Sequence, residues 1–403
     1  MPNKLHYLTT QFNKLIANAI YLISCCIPKR DRLWLFSAWQ GQKYSDNPRL
    51  IYEYALQKKE LDIFWFAKSK TLYKKLKADG YPVIYAKSLL GIWLQLRAGI
   101  IVYTHSHWSE FYSFCIGNTT KRVQAWHGAP LKKIGYDDKF TQKNKLKTYI
   151  SRCIFMHLND RCDLVFATGK QDKIIFERAF NVLPQNVVIT GYPRNDILAA
   201  SNCKPDVKPK KLLYAPTFRG NLGSEFPLLT AHHFDAASIN RKLITNNAHL
   251  YIKLHPVQKL NPETEKLITN LSNIHITDDN NDIYSFILEF DALITDYSSI
   301  FFDFLLSNKP IYMLPIDIDT YLSSDREFYY DYYSITPSEP MRSWDSLIEY
   351  IYQEPYPVDR HNLLAKKTHI YQDPNSSQRA YETILSRLHT TKRRTQPNNR
   401  KYN

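Results

Sequence analysis

The chain reads as an α/β protein made of two doubly wound, Rossmann-like domains that face each other across a cleft. Three observations predict this. Short apolar runs, each too brief for a helix, alternate with segments of helical period. The alternation stops at residues 202–211, where Pro205, Pro209, Lys204, Lys208, Lys210 and Lys211 make a linker, and then it starts again. Polar residues, two histidines among them, follow directly after the runs, where open parallel sheets bind their ligands.

Residues 1–30 come before either series. Residues 15–27 are apolar apart from Asn18 and Ser24, well short of the ~20 needed to span a bilayer. Lys4 and Lys14 precede them, so the stretch mimics a signal peptide. It has no A-x-A-like cleavage site, and strand-like sequence resumes at Leu33-Trp34-Leu35-Phe36, which argues against export. A helix lying on a membrane surface and a plain packing helix are both open readings.

The first domain is expected over 31–203, with strands at 33–36, 61–66, 83–85, 100–103, 123–126, 164–167 and 187–189. Helical patterns at 49–57, 71–78, 89–97, 145–158 and 172–180 separate them, the rhythm of a parallel sheet with crossover helices. The second domain is expected over 204–375, with strands at 212–215, 250–254, 274–276, 292–295 and 311–314. Helices follow at 344–353, 360–371 and 377–388, and the last, within 376–390, is placed to return and brace the first domain. Residues 391–403 carry Lys392, Arg393, Arg394, Arg400 and Lys401 and read as a disordered basic tail.

The stretch around which the rest is organised is 292–314. Ala292, Leu293 and Ile294 suit a strand buried on both faces. Thr295, Asp296, Ser298 and Ser299 then stand where a helix begins, and Ile300, Phe301, Phe302, Phe304, Leu305 and Leu306 make that helix apolar nearly all round. Asn308 and Pro310 stop it. A helix N-terminus with free amides, hydroxyls and partial positive charge is an anion site, here for the diphosphate of an activated donor. An ordinary N-cap in a crossover is the plain alternative.

Composition narrows the partners without choosing one. Hydrophobic residues at 44% and charged residues at 23% are those of a globular protein, which excludes a disordered chain. The formal net charge of +15 attracts something negative: nucleic acid, a phosphorylated substrate or anionic lipid. The six cysteines form no C-x-x-C pair and read as reduced thiols of a cytosolic protein.

The ends of the predicted strands carry the chemistry. Trp126 is followed by His127, Gly128 and Pro130, which present the imidazole on a loop; with an ordinary pKa of about 6.5 it can take a proton near neutrality, or be a structural histidine. Gly191-Tyr192-Pro193-Arg194-Asn195-Asp196 reads as a turn and cap, with Arg194 able to reach a phosphate. Thr217 and Arg219 follow the strand at 212–215, and an arginine fork suits phosphate oxygens. Lys253 and His255 end the next strand, where Lys253 either meets phosphate or only packs its stem. No P-loop, no G-x-G-x-x-G and no convincing Mg²⁺ carboxylate set is present, although Asp296, Asp303 and Asp317 stay open as ligands.

Together these motifs resemble the CDP-glycerol glycerophosphotransferase family, which builds teichoic acids and related capsule polymers. The resemblance is carried by Ser45-Asp46-Asn47-Pro48-Arg49, Trp126-His127-Gly128 with Lys132, Gly191 to Asp196, Tyr214 to Arg219, Lys253-Leu254-His255-Pro256, Thr295 to Ser299 with Asp303, Lys309-Pro310, and Ser376, Ser377 and Arg379. It covers about residues 33–390. It implies a GT-B-like fold with an acceptor domain first and a nucleotide-donor domain second. The implied reaction moves glycerol phosphate from CDP-glycerol to a hydroxyl of a lipid-linked saccharide or growing polymer and releases CMP. CDP-ribitol or a nucleotide sugar is the alternative donor, and a non-catalytic basic protein docking on membrane or nucleic acid the lesser alternative.

The same resemblance implies no cofactor, metal-independent transfer and no nucleic-acid partner, with the enzyme peripheral on the anionic inner face of the cell membrane. His127 resembles the family's base. His255, Arg219, Ser298 and Ser299 fall in its donor phosphate motifs, with Thr217, Lys253 and Asp296 beside them and Lys132 and Arg194 as secondary or acceptor residues. Two departures stand out. Ala129 replaces the usual Thr after Trp-His-Gly, and Thr336-Pro337-Ser338-Glu339-Pro340 stands where Pro-Gly-Pro commonly follows the tyrosine-rich segment. The length is closer to the family's priming enzymes than to its long polymerases.

Overall fold

The computed structural model describes residues 4–139, 141, 150–151, 153–201, 208–219, 224–230, 232–255, 258–277, 282–324 and 327–388, with only the backbone of 4–12 and 322–324. The basic tail 391–403, most of the 202–211 linker, much of the helix expected at 145–158, and Pro256 and Cys203 lie outside the described residues.

The first sheet has seven strands: β1 (Arg30–Phe36), β2 (Asp62–Ala67), β3 (Val83–Tyr85), β4 (Ala98–Tyr103), β5 (Lys121–Gln124), β6 (Leu164–Ala167) and β7 (Val187–Ile189). Their order is β3-β2-β1-β4-β5-β6-β7, and every neighbouring pair is parallel. The second sheet has five: β8 (Lys211–Tyr214), β9 (His249–Ile252), β10 (Ile274–Ile276), β11 (Ala292–Thr295) and β12 (Ile311–Met313). Their order is β10-β9-β8-β11-β12, again all parallel. This is the predicted pair of doubly wound sheets.

The strands at the centre explain the apolar runs. β4, β6 and β11 are buried along their whole length, because helices cover both faces of each sheet. Several helices start where a side chain caps an orphan amide: Ser69 accepts from the Leu72 amide, Ser88 from Gly91, Asn261 from Thr264 and Ser343 from Ser346. β5 ends at Gln124, short of the predicted Trp126, because Trp126 adopts φ 56° and turns the chain out of the ladder.

Several connections join the two halves, three of them through buried residues. The last helix, Ser376–Leu388, returns to the first sheet and buries Ala380, Tyr381 and Ile384 against Trp34 and its neighbours. Fully burying an aromatic of this kind contributes roughly 1.5–3 kcal/mol. Ala129 and Leu131 leave the first sheet to pack in the core of the second, where the Leu131 carbonyl accepts from the Tyr329 amide at 2.9 Å. The third connection is Arg194, described below.

The N-terminal helix α1 (Lys4–Cys26) lies on the first half, with Tyr21 and Ser24 buried and Leu15, Ile16, Leu22 and Ile23 exposed. Among the described residues no helix is long and apolar enough to cross a membrane. The described cysteines are free thiols.

Candidate active site at two facing switch points

In a doubly wound sheet the strand order reverses at one point, and the loops that diverge there leave a crevice. Here the reversals fall between β1 and β4 and between β8 and β11. The loops at these points carry Trp39 and Thr104-His105 on one side, Thr217, Arg219 and Asp296 to Ser299 on the other. The neighbouring strands β5 and β9 add His127 and His255.

His127 is held by its environment. Its Nδ1 donates to the Thr104 carbonyl at 3.2 Å, which leaves the Nε2 lone pair as the acceptor. Its ring stacks on His105, centroids 4.3 Å apart at 17°, and lies against Trp126 at 4.1 Å. Burial first, then His105 and Arg194, push it well below the ordinary histidine value, against the pull of the Thr104 bond. The ring is therefore neutral at pH 7, a state in which it can take a proton. The loop is pinned from behind: Asn47 Nδ2 donates to the carbonyls of Ala125 and Trp126 at 3.0 and 3.1 Å.

His255 comes from the other half and meets the same indole. The Trp39 ring is 6.1 Å from His127 and 6.4 Å from His255, centroid to centroid. Phe218 lies 5.6 Å from His255, centroid to centroid. Burial, then Lys43 and Lys253, push His255 below the ordinary value. Lys253 itself is 5% exposed, and its stem is packed at the end of β9.

The two halves also approach each other at Gly128 and Ser299. A Cβ on Gly128 would lie 3.0 Å from Ser299 Oγ and 3.2 Å from an Arg194 nitrogen, and its φ of 152° adds strain for any other residue. Among the described residues the Ser298 and Ser299 hydroxyls make no hydrogen bond. The helix behind them is shorter than its sequence suggests, running only Ile300–Phe304 before tightening to 3₁₀ over Leu305–Ser307. So few aligned peptide dipoles give a weak field, and any pull on an anion here rests on free amides and hydroxyls.

Several residues expected to bind phosphate are also bonded to one another. Asp296 is fully buried and accepts from the Thr217 amide at 2.9 Å, the Thr217 hydroxyl at 2.6 Å and Arg219 at 2.7 Å. Arg219 also donates to Asp317 at 2.8 and 3.0 Å, to the Thr217 carbonyl at 2.6 Å and to the Tyr297 hydroxyl at 2.6 Å. Burial would push Asp317 up, but Arg219 and Tyr297 hold it at about 2. Arg219, Thr217 and Asp296 thus form a wall of the pocket, with the fork turned onto carboxylates. Thr295, read as part of a cap, instead donates from its hydroxyl to the Ala215 carbonyl at 2.6 Å. Lys132 stands over the Tyr321 ring at 4.7 Å and the Tyr297 ring at 5.7 Å, beside Arg219.

Arg194 is a clamp between the halves. Its guanidinium is 6% exposed and donates to Asp46 at 3.1 Å, to the His127 carbonyl at 2.8 Å and to Asp303 across the cleft. Asn195 and Tyr284 also bind Asp303. The rest of that motif is structural too. Asp196 accepts from the Ser376 and Ser377 amides at 2.8 Å each and so starts the last helix. Gly191 has φ 75°, and a Cβ there would meet Ser376 Oγ at 2.5 Å. The three aspartates left open as metal ligands all face arginines, and among the described residues no group of three or more His, Cys, Asp or Glu is placed to hold a metal.

Trp39, Thr104, His105 and Glu110 were not singled out from the sequence. The signal was present: Thr104 and His105 follow a predicted strand just as His127 does.

The family model of CDP-Glycerol:Poly(glycerophosphate) glycerophosphotransferase matches residues 19–386. The chain belongs to this family. It is similar to a teichoic acid poly(glycerol phosphate) polymerase of Bacillus spizizenii, 28% identical over 349 residues covering 84% of this chain and 87% of that protein. It is also similar to a teichoic acid glycerol-phosphate transferase of Staphylococcus aureus, 27% identical over 397 residues covering 92% and 98%. Ribitol-phosphate enzymes of teichoic acid synthesis stand among the relatives as well. The solved structure of the wall teichoic acid polymerase TagF has the same fold, with a TM-score of 0.71 at 20% identity over 96% of this chain and 98% of that one. The GT-B-like arrangement is thus the family's own, and the protein is an enzyme, a CDP-glycerol-dependent glycerophosphotransferase.

Proposed function

We propose that the cleft transfers glycerol phosphate from CDP-glycerol to a hydroxyl of a lipid-linked saccharide or growing polyol-phosphate polymer. The acceptor oxygen attacks the β-phosphorus, the bond from that phosphorus to the CMP oxygen breaks, and His127 Nε2 takes the acceptor's proton. His255 and the hydroxyls and amides at Ser298–Ser299 stabilise the charge on the phosphates and the departing CMP. Arg219, Thr217 and Asp296 shape the donor pocket, Lys132 adds a cation at its aromatic wall, and Arg194 holds the two halves in register. The observation that carries this reading is that His127 and His255, one from each half, meet the same indole.

The reaction needs no metal in this reading, so enzyme stripped with EDTA keeps its turnover. Substrate and catalyst meet at the inner face of the membrane, with α1 lying at the interface and the basic surplus facing anionic lipid rather than nucleic acid. The ribitol-phosphate relatives support CDP-ribitol as the second reading of the donor. CMP release measured with each purified donor against a lipid-linked acceptor decides between them. Release from neither donor would sink the assignment.

A further inference from the structure

β4 and β5 are paired neighbours, and each delivers one histidine to the cleft. One residue anchors both rings. The Thr104 carbonyl accepts from His127 Nδ1, while the Thr104 hydroxyl donates to Glu110 Oε1 at 2.6 Å and accepts from the Trp39 amide at 3.1 Å. The hydroxyl's remaining lone pair faces His105 Nδ1 at 2.8 Å, so that nitrogen is a donor as well. Both imidazoles therefore turn Nδ1 toward Thr104 and leave Nε2 free, side by side.

What stands behind the two rings differs. Behind His105 is Glu110, which is fully buried, with Oε1 3.5 Å from Nδ1 and accepting from the Thr104 and His105 amides. Its Oε2 is buried with no hydrogen-bond partner among the described residues. Behind His127 is the Arg194 guanidinium, partly offset by Asp46 and Asp303. Lys43 and His255 approach from across the Trp39 ring, at 5.5 and 6.4 Å from it. Two rings 4.3 Å apart are a poor place for two charges, so the His105 ring opposes a proton on its neighbour.

We propose that His105, anchored with Glu110 on Thr104, is a positioning residue for the acid–base step: its ring stacks on His127, keeps that imidazole with Nδ1 on the Thr104 carbonyl, and disfavours a proton on Nε2, which stays open to the acceptor hydroxyl. The inference rests on the reading of His127 as the base. The basicity lost by His127 is tolerable, because in a loose phosphoryl transfer the bond to the leaving group is largely broken before the acceptor's proton must go.

The test is the acid limb of the kcat/KM profile of the full-length enzyme. His105→Asn removes the ring whose repulsion helps to hold His127 below the ordinary value and moves the limb up by about 0.5 pH unit or more, while His105→Lys keeps a repelling group there and leaves the limb near that of the wild type. A His105→Asn limb that coincides with the wild-type limb overturns the proposal. Nitrogen-15 histidine spectra of the unmodified enzyme give a second reading independent of variant folding. They should show His127 as the Nδ1–H tautomer with Nε2 unprotonated, and an Nε2-protonated neutral His127 overturns the proposal. His127→Ala separates the two ideas: if turnover survives, the base assignment fails. If turnover is lost but the His105→Asn limb has not moved, only the role of His105 fails.

Discussion

Trp39 stands where the imidazoles of both halves meet, and the backbone around it is forced. Trp39, Gln40, Asp46 and Trp126 all have positive φ, at 50°, 59°, 66° and 56°. Such residues cost on the order of 1–3 kcal/mol each and persist only where neighbours over-determine them. Here the neighbours are visible: the Trp39 amide donates to Thr104 and its indole to Asp46 at 3.2 Å. The segment holds an unfavourable conformation in order to set its ring between three histidines. At this scale two outcomes are expected. His127→Ala lowers kcat at least ~10²-fold in CMP-release assays, as loss of a general base does, and turnover within a few-fold of wild type would remove it from that role. Because His127 is pushed well below about 6.5, it is deprotonated and active down to that pH. Wild-type kcat/KM should thus stay level from pH 8 to 6.5 and fall only below, and a limb centred above pH 7 would contradict the assignment.

At the scale of elements, a buried charge and a surface helix make opposite kinds of prediction. Asp303 is fully buried and bonded to Arg194, Asn195 and Tyr284. Breaking one side of a buried pair costs about 3–5 kcal/mol where the partner charge is left uncompensated, and since Asp46 still faces Arg194 the cost here lies at or below that range. Asp303→Asn should lower the urea midpoint accordingly; a midpoint unchanged from wild type would show that the clamp does not hold the halves. The exposed face of α1 carries Leu15, Ile16, Leu22 and Ile23, while Tyr21 and Ser24 are in the core. Deleting residues 1–28 would therefore open the core as well as remove the apolar face. Leu15→Gln with Leu22→Gln and Ile23→Gln tests the face alone. The triple variant should shift from anionic vesicles to the supernatant in flotation assays, and undiminished binding would place the membrane contact elsewhere on the basic surface.

The whole molecule should be acid-labile. Burial lowers the pKa of His107, His127, His157, His232, His255, His275, His361 and His369, spread over both halves. A depressed pKa means that the unfolded chain binds more protons, so stability is full above about 6.5 and is lost as pH falls through the lower folded values. Asp172, pushed up to about 7 by burial, and Asp46, pushed up for the same reason, act in the other sense but are outnumbered. Thermal melts should show Tm falling from pH 7 to pH 5, and a rising Tm over that interval would contradict it.

The sequence by itself determined the two parallel sheets, the order of their elements and the strand-end position of His127, His255, Ser298 and Ser299. Those features are local: apolar runs covered on both faces, helical period between them, and polar residues just past the last paired residue. Tertiary structure alone decided which polar residues face open space. Arg194 meets carboxylates 109 and 148 residues away, and Arg219 meets carboxylates 77 and 98 residues away, so both forks are bonded to acids brought from distant parts of the chain. Likewise His105 gains its meaning only from the strand beside it, where the stacked His127 ring arrives from another loop. Hydrogen bonds and charges act through space, and no spacing along the chain reports which donors have already found their acceptors.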